Sequence, residues 1–252
     1  MKVAFQEGFV LHTSPYRETS LLVDLFTKQF GRIRCVARGF RRPTKKGGTR
    51  ALFPHTEHYF SWQGRGDLKT LTHVEVSQTP RFLKNECLFA GLYVNELLYR
   101  LLHEYDSHDF LFEQYKLLLG QLSIGDLDER SLRRLEMSML EALGYGINLT
   151  ADGETGQPID RSCYYQYIPE IGLLKTNQFT NSSLNKYSGE DIVSLSRDNL
   201  DQVSTLRVAK MLLRSVIDFY LDGRQLHSRE LYRQYSKTDL KYDDTSLKGK
   251  SE

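Results

Sequence analysis

Two periodicities divide the chain. Over residues 3–12, 19–27, 31–38, 56–63 and 68–76, β-branched and aromatic residues stand in short runs, partly alternating with polar ones. That pattern predicts strands with one face buried. Turn chemistry separates the runs: Ser14-Pro15, Gly31, the Gly47-Gly48 pair and Gly64-Arg65-Gly66. The last of these predicts a hairpin, with Tyr59, Phe60 and Trp62 before it and Leu68, Leu71 and Val74 after. Past Pro80 the apolar spacing becomes helical. Leu88, Leu92, Leu97, Leu98, Leu101 and Leu102 form one stripe, and Phe110, Phe112, Tyr115, Leu118 and Leu119 a second. A third begins at Asp128, a suitable N-cap, repeats at Leu132, Leu135, Met139 and Leu143, and stops at Gly144.

Five strands in about 80 residues predict a small closed or partly closed barrel, of which the five-stranded oligonucleotide-binding fold is one design. The expected class is therefore α+β: a five-stranded OB-fold barrel followed by a helical domain. The expected divisions are 1–80 for the barrel, 81–149 for a bundle of three helices, and 150–182 for a loop-and-strand module. Helices over 183–236 are expected to pack on the bundle, and 237–252 to form a flexible polar tail. The 150–182 module is punctuated by Gly153, Gly156, Pro158, Pro169 and Gly172, with Tyr164, Tyr165 and Tyr167 between.

Charge sharpens this picture. The whole chain has a formal net charge of only +2. Residues 1–80, however, hold 13 Lys/Arg against 6 Asp/Glu, a net of +7, and the remainder is acidic by −5. Such asymmetry points to a polyanionic partner for the N-terminal part. The segment RIRCVARGFRRPTKKGGTR, residues 32–50, carries Arg32, Arg34, Arg38, Arg41, Arg42, Lys45, Lys46 and Arg50 with no acid among them. In a strand, Arg32, Arg34 and Arg38 lie largely on one face, and the rest form a basic loop able to track phosphates. The alternative is a solvated strand face. Phe9, Tyr16, Phe53, Tyr59, Phe60 and Trp62 are expected to fill the barrel, whereas Phe40, inside the basic loop, is a candidate for stacking on a base. Arg207, Lys210 and Arg214 share one helix face and form a second candidate phosphate stripe. Arg133 and Arg134, beside Leu132 and Leu135, suit an acidic peptide with an apolar anchor.

Other chemistry finds little support. The chain has no GxxxxGK[ST], HExxH or GxSxG motif. His55 and His58 are three apart in an expected strand, on opposite faces, and so are poor joint metal ligands. The three cysteines, Cys35, Cys87 and Cys163, are dispersed, which suggests neither a disulfide framework nor a metal motif. Asp152, Glu154, Asp160 and Glu170 read as turn and surface residues. No signal peptide or membrane span is expected, and a reducing, cytoplasmic location fits the cysteine usage. The Asn-x-Ser/Thr matches at Asn148 and Asn181 then carry no glycosylation argument.

Several stretches, in order, resemble the bacterial recombination-mediator family RecO: FVLHTSPYRETSLLVDLFTKQFGRIRCVARGFRR, GRGDLKTLTHVE, GLYVNELLYRLL, LRRLEMSMLEALGYGINL and LRVAKMLLRSVIDFYLDGRQLHSRELYRQY. Together they cover about residues 9–235. The resemblance implies a non-enzymatic, nucleoid-associated protein that binds single- and double-stranded DNA and anneals complementary strands. It also implies binding to the partner RecR and to the acidic C-terminal tail of single-stranded DNA-binding protein, and indirect help to RecA in loading on coated strands. No membrane partner and no cofactor are implied. Some family members carry a four-cysteine zinc module near residues 150–182. This chain keeps only Cys163 there, so no zinc is expected and the module should be held by packing. Two other readings stay open on the residues alone, an RNA- or ribosome-associated barrel protein and a nucleic-acid-modifying enzyme.

Overall fold

The computed structural model describes residues 2–43, 52–176 and 185–248. The Gly47-Gly48 turn and Lys45, Lys46 and Arg50 lie outside the described residues. The chain forms two compact units, residues 1–127 with 225–252, and residues 128–224.

The first unit is built on five strands: β1 (Lys2–Tyr16), β2 (Ser20–Thr27), β3 (Gly31–Ala37), β4 (Glu57–Gln63) and β5 (Lys69–Val76). They close a barrel in the order β1-β2-β3-β5-β4, with β1 and β4 completing the ring and β3 and β5 the one parallel pair. The α+β class and the five-stranded OB-type barrel are as the pattern predicts. Alternation puts Val3, Val10, Val23, Leu25, Ile33, Cys35, Phe60, Trp62 and Leu71 into a shared core. β1 outruns its expected end. Pro15 pairs with Leu21 close to the strand terminus, and the reversal comes one residue after Tyr16, at Arg17, with φ +51°.

Two helices expected in a bundle belong instead to the barrel unit. These are α1 (Asn85–Leu101) and α2 (Asp109–Ser123), whereas α3 (Glu129–Ala142) lies in the second unit. The reason is chemical. Phe9 and Phe26 turn away from the barrel core and meet Phe112 and Tyr115 of α2, with ring centroids 5.0–6.0 Å apart. Buried Asn95 of α1 donates to the carbonyls of Val10 and Leu11, at 3.2 and 3.4 Å, and accepts from the Tyr115 hydroxyl at 2.6 Å. Those carbonyls sit at the register shift of β1 against β2, so a bulge and a buried amide satisfy each other.

In the second unit, α3 packs on α5 (Val203–Tyr220), as does α4 (Gly189–Ser196). A small sheet orders β6 (Tyr164–Ile168) between β7 (Gly172–Thr176) and β8 (Tyr187–Ser188). The preceding loops are held by hydrogen bonds as well as packing. One Asp152 oxygen accepts from the backbone N–H of Glu154 and Thr155 and from the Thr155 hydroxyl, and the other from the Lys175 N–H at 2.8 Å. Asp152 is buried, which corrects its reading as a surface residue. Asp160 similarly accepts from Ser162 and from the Cys163 thiol.

The last helix, α6 (His227–Lys248), returns to the first unit and lies on α1. Glu96 caps its start, accepting from the N–H groups of His227 and Ser228 and the Ser228 hydroxyl. Phe89 meets Tyr232 and Tyr235. Residues 237–248 of the expected flexible tail continue this helix, whose first turns Tyr232 and Tyr235 anchor on Phe89.

Candidate nucleic-acid interface

The barrel unit carries a cleft of about 840 Å³ between the β1–β2 turn and the β4–β5 connection. Its cations are Arg17, Arg38, Arg42 and Lys69, and Glu18 is its one acidic side chain. Topology assembles it from distant sequence. β3 and β5 pair in parallel at Cys35–Lys69 and Val36–Thr70, which sets Lys69 beside the end of β3. The loop after β3 is tied to the β1–β2 turn: the Arg41 N–H donates to the Thr19 carbonyl at 3.0 Å, and the Arg41 guanidinium to the Arg17 carbonyl at 3.1 Å. Lys69 is buried, only 7% exposed, donates to the Gly66 carbonyl and lies 4.9 Å from the centre of the Tyr105 ring. Arg38 and Arg42 are exposed and have no ion-pair partner among the described residues.

Arg38 also borders a second cleft, of about 450 Å³, lined by Phe40 and residues 71–74 and 76. Arg38 thus lines both clefts. In OB-type barrels the β2–β3 face and the loops joining strands 1–2 and 4–5 are the oligonucleotide-binding region. The larger cleft lies between those two loops.

The candidate phosphate contacts divide sharply in this setting. Arg38 and Arg42 line the cleft, and Arg41 buttresses its rim. Arg32 and Arg34 alternate with buried Ile33 and Cys35 as expected, but their charge is already engaged. The Oδ1 atom of Asp24, a residue only 1% exposed, accepts from Arg32 at 2.9 Å and Arg34 at 3.0 Å. Arg32 further donates to the Leu102 carbonyl and pairs with Glu104 at 3.4 Å. Both are structural cations of β3 rather than free phosphate ligands. Phe40, the candidate for stacking on a base, is half-buried, packs against the barrel core and lines the second cleft. Lys45 and Lys46 fall outside the described residues. Arg17 and Lys69 were missed in sequence because each is an isolated charge in its own stretch.

In the second unit the basic stripe on α5 is exposed but largely paired. Lys210 meets Glu129 at 2.7 Å and Arg214 meets Asp218 at 3.5 Å, while Arg207 has no ion-pair partner among the described residues. The Arg133–Arg134 groove does not form. Arg133 is 6% exposed and bonded to buried Glu136 at 3.0 Å, Leu132 and Leu135 are core residues, and Arg134 is paired with Asp198. Helical phase decides this: Arg133 falls next to the core stripe, where pairing with Glu136 offsets the cost of burying its charge.

Reactive chemistry is muted elsewhere. Burial pushes the Cys35 thiol up to about 12, so it stays protonated. Burial also pushes the His55 imidazole down to about 4, against a smaller opposing pull from the Gly91 backbone. Among the described residues, no group of three or more His, Cys, Asp or Glu side chains is placed to hold a metal ion. No helix among them is long and apolar enough to cross a membrane.

Comparison with known proteins gives consistent results along the chain. Residues 1–80 match the family model described as "Recombination protein O N terminal", and residues 86–230 match "Recombination protein O C terminal". The chain is 39% identical over 234 residues to a DNA repair protein RecO of Pectobacterium atrosepticum, covering 92% of this chain and 93% of that protein. It is 37% identical over 235 residues to the DNA repair protein RecO of Escherichia coli (strain K12), covering 92% and 94%.

Proposed function

The chain belongs to the RecO family of DNA repair proteins, and from that we propose that it acts as a non-enzymatic recombination mediator. In this reading it binds single- and double-stranded DNA, anneals complementary strands, and helps RecA load on strands coated by single-stranded DNA-binding protein. RecR and the acidic tail of that coating protein are its proposed partners, and the nucleoid its place of work. The observation that carries the DNA-binding part is the cleft holding Arg17, Arg38, Arg42 and Lys69 between the two connecting loops of the barrel.

The mechanism needs no bond chemistry. Two strands repel each other through their phosphates. Cations that replace condensed counterions release those ions to solvent and lower the repulsion, while leaving the base edges free to pair. Arg38 and Arg42 are suited to this because neither has an internal ion-pair partner among the described residues. A phosphate contact there displaces water and counterions instead of breaking an existing pair. Arg207 is the corresponding free cation of the α5 stripe. Lys210 and Arg214 would first have to leave Glu129 and Asp218, and so are weaker contributors.

The test is a salt titration of DNA binding for the Arg38→Glu, Arg42→Glu double variant. Losing two phosphate contacts should flatten the dependence of log affinity on log salt by about 1.4 for single strands, at roughly 0.7 per contact. Annealing should slow in parallel. An unchanged slope and annealing rate in a folded variant would overturn the reading.

A further inference from the structure

An aromatic residue of β1 is displayed on the outside of the barrel against the local pattern. Val3 points inward and Ala4 outward, so strict alternation assigns Phe5 to the interior. It is instead 63% exposed. The cause is a bulge. Val3 pairs with Trp62 and Gln6 with Phe60, which leaves Ala4 and Phe5 together opposite Ser61. Phe5 takes φ +49°, and its N–H donates to the Ser61 hydroxyl at 3.1 Å. A bulky side chain in the left-handed region is unfavourable, and bulges commonly re-aim a side chain near a working site.

The neighbours of Phe5 indicate what it faces. Ser61 pairs across β4–β5 with His73, and the Phe5 and His73 rings lie 5.5 Å apart, tilted by 59°. His73 lines the 450 Å³ cleft, whose basic member is Arg38, the residue shared with the larger basic cleft. Arg38 and the exposed His73 ring thus line one cleft, and Phe5 extends the ring surface beside it. The Glu75 carboxylate stands 3.5 Å from the His73 Nε2 atom. Its charge disfavours a phosphate at the rings and leaves an uncharged flat group as the suitable occupant.

Resting on the DNA-binding reading above, we infer that Phe5 and His73 form a platform on which an unpaired base stacks while its backbone phosphate is held at Arg38. A base inside a duplex has both faces covered by its neighbours, so the platform selects single strands. Arg17, Arg38 and Arg42 then supply affinity for either form, and the ring pair supplies the preference between them.

The experiment uses the full chain and an oligonucleotide carrying 2-aminopurine, whose fluorescence falls when it stacks on an aromatic ring. Phe5→Ala should weaken single-strand binding about five-fold or more, the lower end of what one stacked base contributes. It should also remove the quenching, with the salt slope and duplex affinity unchanged. Phe5→Trp should restore both signals. Phe5→Gly should lose them while melting no lower than the parent chain, because glycine accepts the left-handed backbone without strain. Unchanged single-strand affinity and quenching in Phe5→Ala overturns the platform, and so does an equal loss for single and double strands. Neither of those results touches the DNA-binding reading, which fails if the folded Arg38→Glu, Arg42→Glu variant keeps its salt slope and annealing rate.

Discussion

Asp24 offers the sharpest test of the separation between structural and free cations. It interrupts the apolar run of β2, lies directly across from Arg34, and is 1% exposed. Asp24→Asn keeps the shape and removes the charge. Arg32, with a side chain 13% exposed, is then left with Glu104 at 3.4 Å as its remaining anion. Breaking a buried pair by removing one partner costs about 3–5 kcal/mol. Glu104 offsets part of that, and Arg34, a third exposed, recovers some solvation, so about 3 kcal/mol is expected. At roughly 2–4 °C per kcal/mol for a unit of this size, the melting point should fall by about 6–12 °C. The chain has one tryptophan, Trp62, in the barrel core, so its fluorescence follows this unit rather than the other. Arg34→Gln should leave the salt slope of DNA binding unaltered. Melting of Asp24→Asn within about a degree of the parent chain, or an Arg34→Gln slope change as large as that of Arg38→Gln, would refute the argument.

Two further perturbations probe the same unit. Gly31 begins β3 at φ +64°, and a Cβ there would stand 1.8 Å from the Asp106 carbonyl oxygen. Gly31→Ala should therefore cost about 2–4 kcal/mol from strain and clash together, whereas Gly39→Ala, with nothing within 4 Å of its Cβ among the described residues, should cost about 1 kcal/mol; urea midpoints of the two variants check the contrast. Acid should weaken the unit through His55. The unfolded imidazole takes a proton near pH 6.5 and the buried one only near pH 4, so the unfolded state binds more protons between those values. Stability is then complete above the unfolded value and declines by up to about 3 kcal/mol as pH falls through that window. Burial shifts His58 in the same direction. Urea midpoints measured from pH 7 to pH 4 should follow this decline, and His55→Asn should flatten it even if it lowers the midpoint overall.

What could be read in the sequence follows from how far each signal reaches along the chain. Strand alternation and helical stripes are local, so the five strands, the barrel, α3 with its Asp128 cap, and α5 were all visible. Partner choice was not local. Phe112 and Tyr115 look like any helix stripe, and nothing near them says that the stripe will face Phe9 and Phe26 rather than α3. Asn95, a polar residue amid leucines, was the available hint that this helix satisfies carbonyls of another element. The candidate site shows the same division. The basic run after β3 was legible as charge, but charge density does not reveal which members are neutralised. Asp24 was the clue, since an acid in the middle of a buried strand must find cations, and the cross-strand neighbours of β2 are the arginines of β3. The cleft itself depends on strand order. Arg17 and Lys69 are 52 positions apart in sequence and line one cleft only because the β1–β2 turn and the start of β5 converge at the end of β3. The bulge that exposes Phe5 lies furthest from legibility, because Val3-Ala4-Phe5 reads as ordinary alternation and only the register against β4 reveals the extra residue. The two features that carry the functional proposals are thus both products of register. Variants that shift the β1–β4 pairing should therefore disturb single-strand preference before they disturb the basic cleft.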